Sequence, residues 1–177
     1  MVNLALLDYQ IFQYFNSWAG NSAVFDWIVV FIAHYFIYLL IAGLALYYLS
    51  KIEQKKSKLI ILSSIISGLA ARFVFVEIIR RVYYRPRPFA AYNVTELWPK
   101  GAEASFPSGH TAALVAIGMS IYFYNKKLGA IIIIFGIIVG LARVIAGVHY
   151  PGDILGGIVV GLFTGWLVDR IINKNLF

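Results

Sequence analysis

Five runs of predominantly apolar residues, each close to the ~20 residues that carry a helix across a bilayer, constrain this chain more than any other feature. They are Val24–Ser50, Leu59–Val82, Pro107–Tyr124, Leu128–Val148 and Gly152–Ile172. A segment in hydrocarbon must satisfy its own backbone hydrogen bonds, and long uninterrupted runs of this kind do so as helices. Only 13% of the 177 residues are charged and 61% are hydrophobic, whereas a soluble domain carries about 25% charged residues. The expected fold is therefore all-α and integral to the membrane, with about five transmembrane helices. Ahead of them, Leu4–Trp18 mixes Leu, Ile, Phe and Tyr with Asp8, Gln10 and Gln13. That is the pattern of an amphipathic helix lying in the interface, in preference to a sixth, very short span. The same stretch lacks the basic region of a cleavable signal peptide. No internal repeat or flexible linker divides the chain, so residues 1–177 read as one domain. There are no cysteines, which removes disulfides and thiolate metal sites from consideration.

The formal charge of +7 is not spread along a soluble face, which argues against nucleic acid. Lysine and arginine in short loops orient membrane proteins. Lys51, Lys55, Lys56 and Lys58 join the first two spans, Lys126 and Lys127 join the third and fourth, and Arg170 and Lys174 close the chain. These eight residues mark the expected cytoplasmic side, and with it a cytoplasmic C-terminus. The opposite side carries Arg80, Arg81, Arg85, Arg87, Lys100 and Arg143. By count the difference is small, but the chemistry differs. The second set is nearly all arginine, whose planar fork suits phosphate, interleaved with Tyr and Pro.

Three polar clusters fall on that second, outer side. The first is Arg80, Arg81, Arg85, Pro86, Arg87 and Pro88. Proline biases its predecessor away from helix, so the second span should end before Arg85. The second cluster, Ser105-Phe106-Pro107-Ser108-Gly109-His110, reads as a helix start. Either Ser105 or Ser108 can cap it, and Pro107 suits its first turn. The amides of Ser108, Gly109 and His110 would then point outward as an anion site. The third cluster holds Arg143, His149 and Asp153. A turn across Tyr150-Pro151-Gly152 would bring the carboxylate to the imidazole, fix its tautomer and leave its other nitrogen able to attack. Each cluster has a plainer reading: a headgroup-contacting patch, a capped helix start, and a capping aspartate beside a histidine. Together they bring four or five arginines, two histidines and a carboxylate to one face, and ionisable groups at a membrane are costly and usually functional. Phosphoryl transfer uses such a set, with arginines and amides holding the nonbridging oxygens, one histidine attacking phosphorus and the other protonating the leaving oxygen.

In this order the clusters resemble the three-part signature of the type-2 phosphatidic acid phosphatase superfamily: Lys-x6-Arg-Pro, Pro-Ser-Gly-His and Ser-Arg-x5-His-x3-Asp. Here they read Arg80-x6-Arg87-Pro88, Pro107-Ser108-Gly109-His110 and Ala142-Arg143-x5-His149-x3-Asp153. Arg80 replaces a lysine, and Ala142 replaces a serine. The resemblance implies hydrolysis without a metal, through a phosphohistidine. It makes His149 the nucleophile, Asp153 its orienting partner and His110 the general acid. Arg80, Arg87, Ser108, Gly109 and Arg143 would cradle phosphate. Within the superfamily, the short chain, the first helix and the Arg85–Phe89 segment look most like bacterial undecaprenyl-diphosphatases of the bacitracin-resistance kind. The substrate so implied is a polyprenyl diphosphate, met in the cell membrane from the outside.

No cofactor is expected. Hard cations want several oxygen ligands, and on the outer side only Asp153, Glu96 and Glu103 lie in or beside the clusters. Two alternatives stand beside this reading. One is a phosphatase for phosphatidylglycerophosphate or phosphatidic acid. The other is a non-enzymatic carrier of diphosphate lipids, which needs the charge but not two histidines and a paired carboxylate, and would show interrupted or repeated spans. Among the remaining polar residues, Glu77 is expected to pair with Arg80 and Arg81 along its helix. Arg72 lies deeper and has no evident acid, and His34 reads as a packed core histidine.

Overall fold

The computed structural model describes residues 4–98, 101 and 104–174. Lys100 and Glu103 lie outside them. Among the described residues all regular structure is helical. Helix α1 is Leu4–Asn16. Helix α2, Ala23–Leu49, and helix α3, Lys55–Val82, are continuous rods, each interrupted by one π-helical turn, at Phe31–Tyr35 and Ala71–Phe75. A short turn, α4, covers Pro88–Ala91. Then follow α5, Gly109–Tyr122; α6, Lys126–Ile145; and α7, Pro151–Lys174.

Four of these helices are long and apolar enough to cross a membrane: α2, α3, α6 and α7, the last over Pro151–Ile172. Helix α5 is not among them. The third span was expected over Pro107–Tyr124, but the helix runs only over Gly109–Tyr122, 14 residues. Pro107 lies outside its first turn, and Ser108, extended at φ −68° and ψ 112°, stands at its N-cap. The four residues lost divide equally, Pro107 and Ser108 to the outer loop and Phe123 and Tyr124 to the lysine-bearing one.

Despite its length, α5 is the centre of the bundle. From Thr111 to Ile121 every residue except Met119 is buried. Between helices in lipid there is little hydrophobic drive, so small residues that let backbones approach decide which helices pack. Helix α7 lays Gly157, Gly161 and Gly165, four apart, along α5. A Cβ at Gly161 would stand 2.7 Å from the Ala112 carbonyl oxygen, and one at Gly165 2.7 Å from that of Ala116. Helix α6 does the same with Gly129 and Gly136, which lie against Tyr122 and Leu114. On the third side the Ser67 and Ser120 hydroxyls, 2.6 Å apart, join α3 to α5.

The two ends of the bundle are distinct. Tyr48, Ile60 and Ile121 cluster with Tyr124 and Leu128 at one end, which gathers both lysine-bearing loops there. The polar clusters are at the other end. Helix α1 lies across that end, with Phe12 fully buried against Val144, Tyr150 and Ile154. Its other face exposes Leu4, Leu7 and Tyr14. The amphipathic pattern of Leu4–Trp18 thus forms a helix, and its inner side reaches the core.

Candidate active site

The approach to His149 is built by the end of α6. Ala146 is the C-cap, and Gly147 follows with φ +81°. The Gly147 N–H donates to the Val144 carbonyl at 3.1 Å, and the Val148 N–H donates to that of Arg143 at 3.1 Å. This is a Schellman turn, which needs a left-handed residue at this position. A Cβ on Gly147 would also stand 2.4 Å from the Thr95 carbonyl oxygen. The turn ends the helix at Ile145, short of the Val148 expected for the fourth span, and delivers His149 directly after it.

Helix α7 then starts at Pro151, whose fixed φ and missing N–H suit a first helical position. Asp153 sits two residues on, where a side chain can reach back to the cap. Its Oδ2 accepts from the Tyr150 N–H at 2.9 Å and lies 3.2 Å from His149 Nδ1. The capping reading and the catalytic reading of Asp153 are therefore both satisfied by one oxygen. His149 and Asp153 are 1% and 0% exposed. An ionised carboxylate only accepts, so Nδ1 carries the proton towards Asp153 and Nε2 is the nitrogen with a lone pair.

Around this pair stand the arginines. Arg143 is 2% exposed. Its Nη1 donates to the Ala33 carbonyl at 2.8 Å, and its Nε is buried with no hydrogen-bond partner. Ala33 lies in the π turn of α2, where the widened winding closes a bond from Phe36 N–H to Phe31 instead of the usual ladder. Arg87, 1% exposed, donates through Nη1 to the Val148 carbonyl at 3.3 Å. The Arg143 backbone carbonyl, accepting from the Val148 N–H, and the Arg87 guanidinium, donating to the Val148 carbonyl, thus hold the residue before His149. Arg80 donates to the Pro107 carbonyl at 3.2 Å and to Glu77 at 3.3 Å, the pairing expected from their spacing. The charges of Arg87, Arg72 and Arg80 all act on Arg143, so four guanidinium groups share one region.

The second π turn accounts for Arg72. In an ordinary helix, residues five apart do not face each other, but the wider turn at Ala71–Phe75 lets Arg72 Nη1 reach Glu77 Oε1 at 2.9 Å. Glu77 is the acid for which the sequence offered no candidate. The Arg72 side chain also crosses Gly109 so closely that a Cβ there would meet its Cδ at 2.6 Å. Arg72 and His110 line a groove walled by Ile37, Tyr38 and Phe73.

Ser108 departs from expectation in one respect. Its N–H is not turned outward to an anion. It donates to the Asp153 carbonyl at 2.9 Å. The hydroxyl, which accepts from Thr111 Oγ1 at 3.1 Å, is what Ser108 can still offer a phosphate oxygen.

Two contributors were not legible in the sequence. Arg85 turns away from the other guanidinium groups, donating to Asp153 Oδ1 at 2.9 Å and to Asp8 Oδ2 at 2.6 Å, with its charge 3.8 Å from the Tyr150 ring centre. Burial alone would lower the Arg85 pKa, but the two carboxylates outweigh it and hold the group above its ordinary value. Burial also pushes the Tyr150 phenol up to about 12, against the opposing pull of Arg85, so that phenol stays neutral. Asp8 is the other contributor. It comes from α1, and its lone carboxylate among apolar neighbours was the available signal.

Residues 57–177 match the PAP2 superfamily. The chain belongs to this family. It is 39% identical over 166 residues to the undecaprenyl-diphosphatase BcrC of Bacillus subtilis, covering 93% of this chain and 83% of that one. The crystal structure of Aquifex aeolicus LpxE superposes with a TM-score of 0.72 at 26% identity, over 93% of this chain and 95% of that one. The PAP2-type phosphatidylglycerolphosphate phosphatase of Bacillus subtilis has the same fold, with a TM-score of 0.71 at 19% identity, over 99% and 89% of the two chains. As a PAP2 member with these relatives, the protein is a multi-pass membrane hydrolase that acts on lipid phosphates. Among the described residues no three His, Cys, Asp or Glu side chains gather into a metal-binding group.

Proposed function

We propose that the protein hydrolyses a polyprenyl diphosphate, undecaprenyl diphosphate above all, to the monophosphate and inorganic phosphate, at a site facing the outside of the cell membrane. The observation that carries this reading is the buried His149–Asp153 contact of 3.2 Å beside four arginines. A carrier of diphosphate lipids has no use for an oriented imidazole. The similarity to BcrC favours a diphosphate over phosphatidylglycerophosphate or phosphatidic acid.

In the first step His149 Nε2 gives its lone pair to the terminal phosphorus. The bond from that phosphorus to the bridging oxygen breaks, and His110 gives that oxygen a proton as the lipid monophosphate leaves. Asp153 stabilises the positive charge that develops on the ring. Arg143, Arg87 and Arg80, with Ser108 and Gly109, hold the three equatorial oxygens. In the second step water attacks the phosphohistidine, His110 takes its proton, and the phosphorus–nitrogen bond breaks to release phosphate. The scheme runs on side chains, backbone amides and water, and no step is routed through a metal.

The test is turnover of undecaprenyl diphosphate, phosphatidylglycerophosphate and phosphatidate by the purified protein with chelator present. The diphosphate should be the best substrate. A higher kcat/KM on phosphatidylglycerophosphate would replace the substrate, and recovery by added magnesium alone would replace the mechanism. For sidedness, the absence of native cysteine allows clean single labels. An impermeant thiol reagent applied to intact cells should reach Gly101→Cys and not Asn125→Cys.

A further inference from the structure

The family match starts at residue 57, so α1 lies wholly outside it. Yet α1 reaches the active site through a continuous chain of ionisable groups. Asp8 Oδ2 accepts from Arg85 Nη2 at 2.6 Å, Arg85 Nη1 donates to Asp153 Oδ1 at 2.9 Å, and Asp153 Oδ2 meets His149 Nδ1 at 3.2 Å. The other oxygen of Asp8 accepts from the Gly152 N–H at 2.7 Å. That amide belongs to the first turn of α7, where N–H groups have no acceptor inside the helix and the dipole favours negative charge. Gly152 is itself fitted to this contact, since a Cβ there would lie 2.9 Å from Asp8 Oδ2.

We propose that Asp8 and Arg85 are positioning residues of the active site: α1 supplies a carboxylate that holds Arg85, and Arg85 fixes Asp153 and sets the charge that His149 feels. The proposal rests on the reading of His149 as the nucleophile. Arg85 paired with Asp153 alone would cancel the carboxylate that supports the ring as it becomes positive. With Asp8 added, the three groups carry one net negative charge beside His149. The charged groups opposing it are Arg87, from the loop after α3, and Arg143, from α6. The phenols of Tyr150 and Tyr92 and the Ser105 hydroxyl, which hydrogen-bonds Asp153, also border it, with Tyr9 of α1 stacked on Tyr92 at 4.1 Å.

Helix α1 does not depend on Asp8 for its place. Phe12 is packed against Val144, Tyr150 and Ile154. Asn16 Nδ2 donates to the carbonyls of Thr95 and Ile145 at 2.8 and 2.9 Å. Asp8→Asn, nearly the same shape, therefore removes the charge and one of the two acceptors without freeing the helix.

The experiment is the pH profile of kcat/KM on a polyprenyl diphosphate, with thermal stability measured in parallel. The acidic limb reports the His149–Asp153 pair taking up a proton. Asp8→Asn removes a negative charge and should move that limb to lower pH. Its plateau should fall about 10-fold, the lower end of what an outer partner orienting an imidazole is worth in metal sites. Arg85→Gln removes a positive charge and should move the limb to higher pH. Asn16→Ala, which loosens α1 without changing charge, should lower the melting temperature and leave the limb in place. Limbs unmoved in both Asp8→Asn and Arg85→Gln would overturn the proposal and leave α1 as scaffold. If Asp8→Asn fails to fold, the limb of Arg85→Gln decides alone. Retention of turnover by His149→Ala would instead sink the reading beneath it, whatever Asp8 does.

Discussion

The two ends of the bundle treat positive charge in opposite ways. At one end Lys51, Lys55, Lys56, Lys58, Lys126 and Lys127 are all exposed. At the other, Arg87 and Arg143 are 1% and 2% exposed. An exposed ammonium keeps its water and asks nothing of its neighbours. A buried guanidinium loses that water and must find protein acceptors, among them the Val148 carbonyl for Arg87 and the Ala33 carbonyl for Arg143. A carbonyl is a dipole and not a counter-charge, so neither of these two contacts is itself an ion pair. The difference teaches that the sign of charge along a membrane protein says less than whether the charge has been desolvated.

The largest effect expected from breaking the buried end is that of His149→Ala. Loss of a nucleophile should cost at least about 10⁴-fold in kcat on a polyprenyl diphosphate. A variant within tenfold of wild type would deny that end its chemistry. Next comes Arg143→Ala. Removing one preorganised donor from a developing oxyanion costs about 10²–10³-fold, and kcat should fall by that much while the protein stays folded. A change confined to KM would mean that Arg143 binds the ground state and the transition state equally.

The sequence recorded these two ends unequally. Hydropathy and the flanking lysines place α2, α3, α6 and α7 within a few residues of their observed bounds, because a span's length is imposed by the bilayer and written locally. The pairing of His149 with Asp153 was legible for the same reason, being a matter of one helical turn. What the sequence hid was long-range. Asp8 meets Gly152 across nearly the whole chain, and no periodicity in Leu4–Trp18 announces it. Arg85 appeared as one more arginine of the outer cluster with no role of its own, and only the fold shows that it serves two carboxylates. The shortening of α5 was also hidden, since Pro107 and Ser108 are acceptable at a helix start and only the loop geometry removes them from it. The spacing of Gly157, Gly161 and Gly165 was on the page and is, in the fold, the seam that centres α5.

That seam joins the two ends, and it should fail by a smaller margin than the site. Gly161→Leu must part α5 from α7, since even a Cβ there would stand 2.7 Å from the Ala112 carbonyl oxygen and from Val115 Cβ. Overpacking of this kind costs about 1–3 kcal/mol, to be read as a lowered melting temperature in detergent. An unchanged melting temperature would mean that α5 is held by its polar ends instead. The smallest effect belongs to the lysine end. Replacing Lys55, Lys56 and Lys58 together by Gln should change kcat/KM in detergent by less than about twofold, as exposed substitutions usually stay within about 0.5 kcal/mol. A tenfold loss would erase the distinction between the ends.

The brevity of α5 bears on the membrane itself. Its 14 residues at 1.5 Å each span about 21 Å, against a hydrocarbon thickness of about 30 Å. Helix α5 is thus about 9 Å shorter than that thickness, and its N-cap Ser108 meets the first turn of α7 at the Asp153 carbonyl. The proposed function then sets a water-consuming step beside the end of a helix shorter than the bilayer, so bilayer thickness becomes a variable of catalysis, to be read as turnover in vesicles of different acyl-chain length.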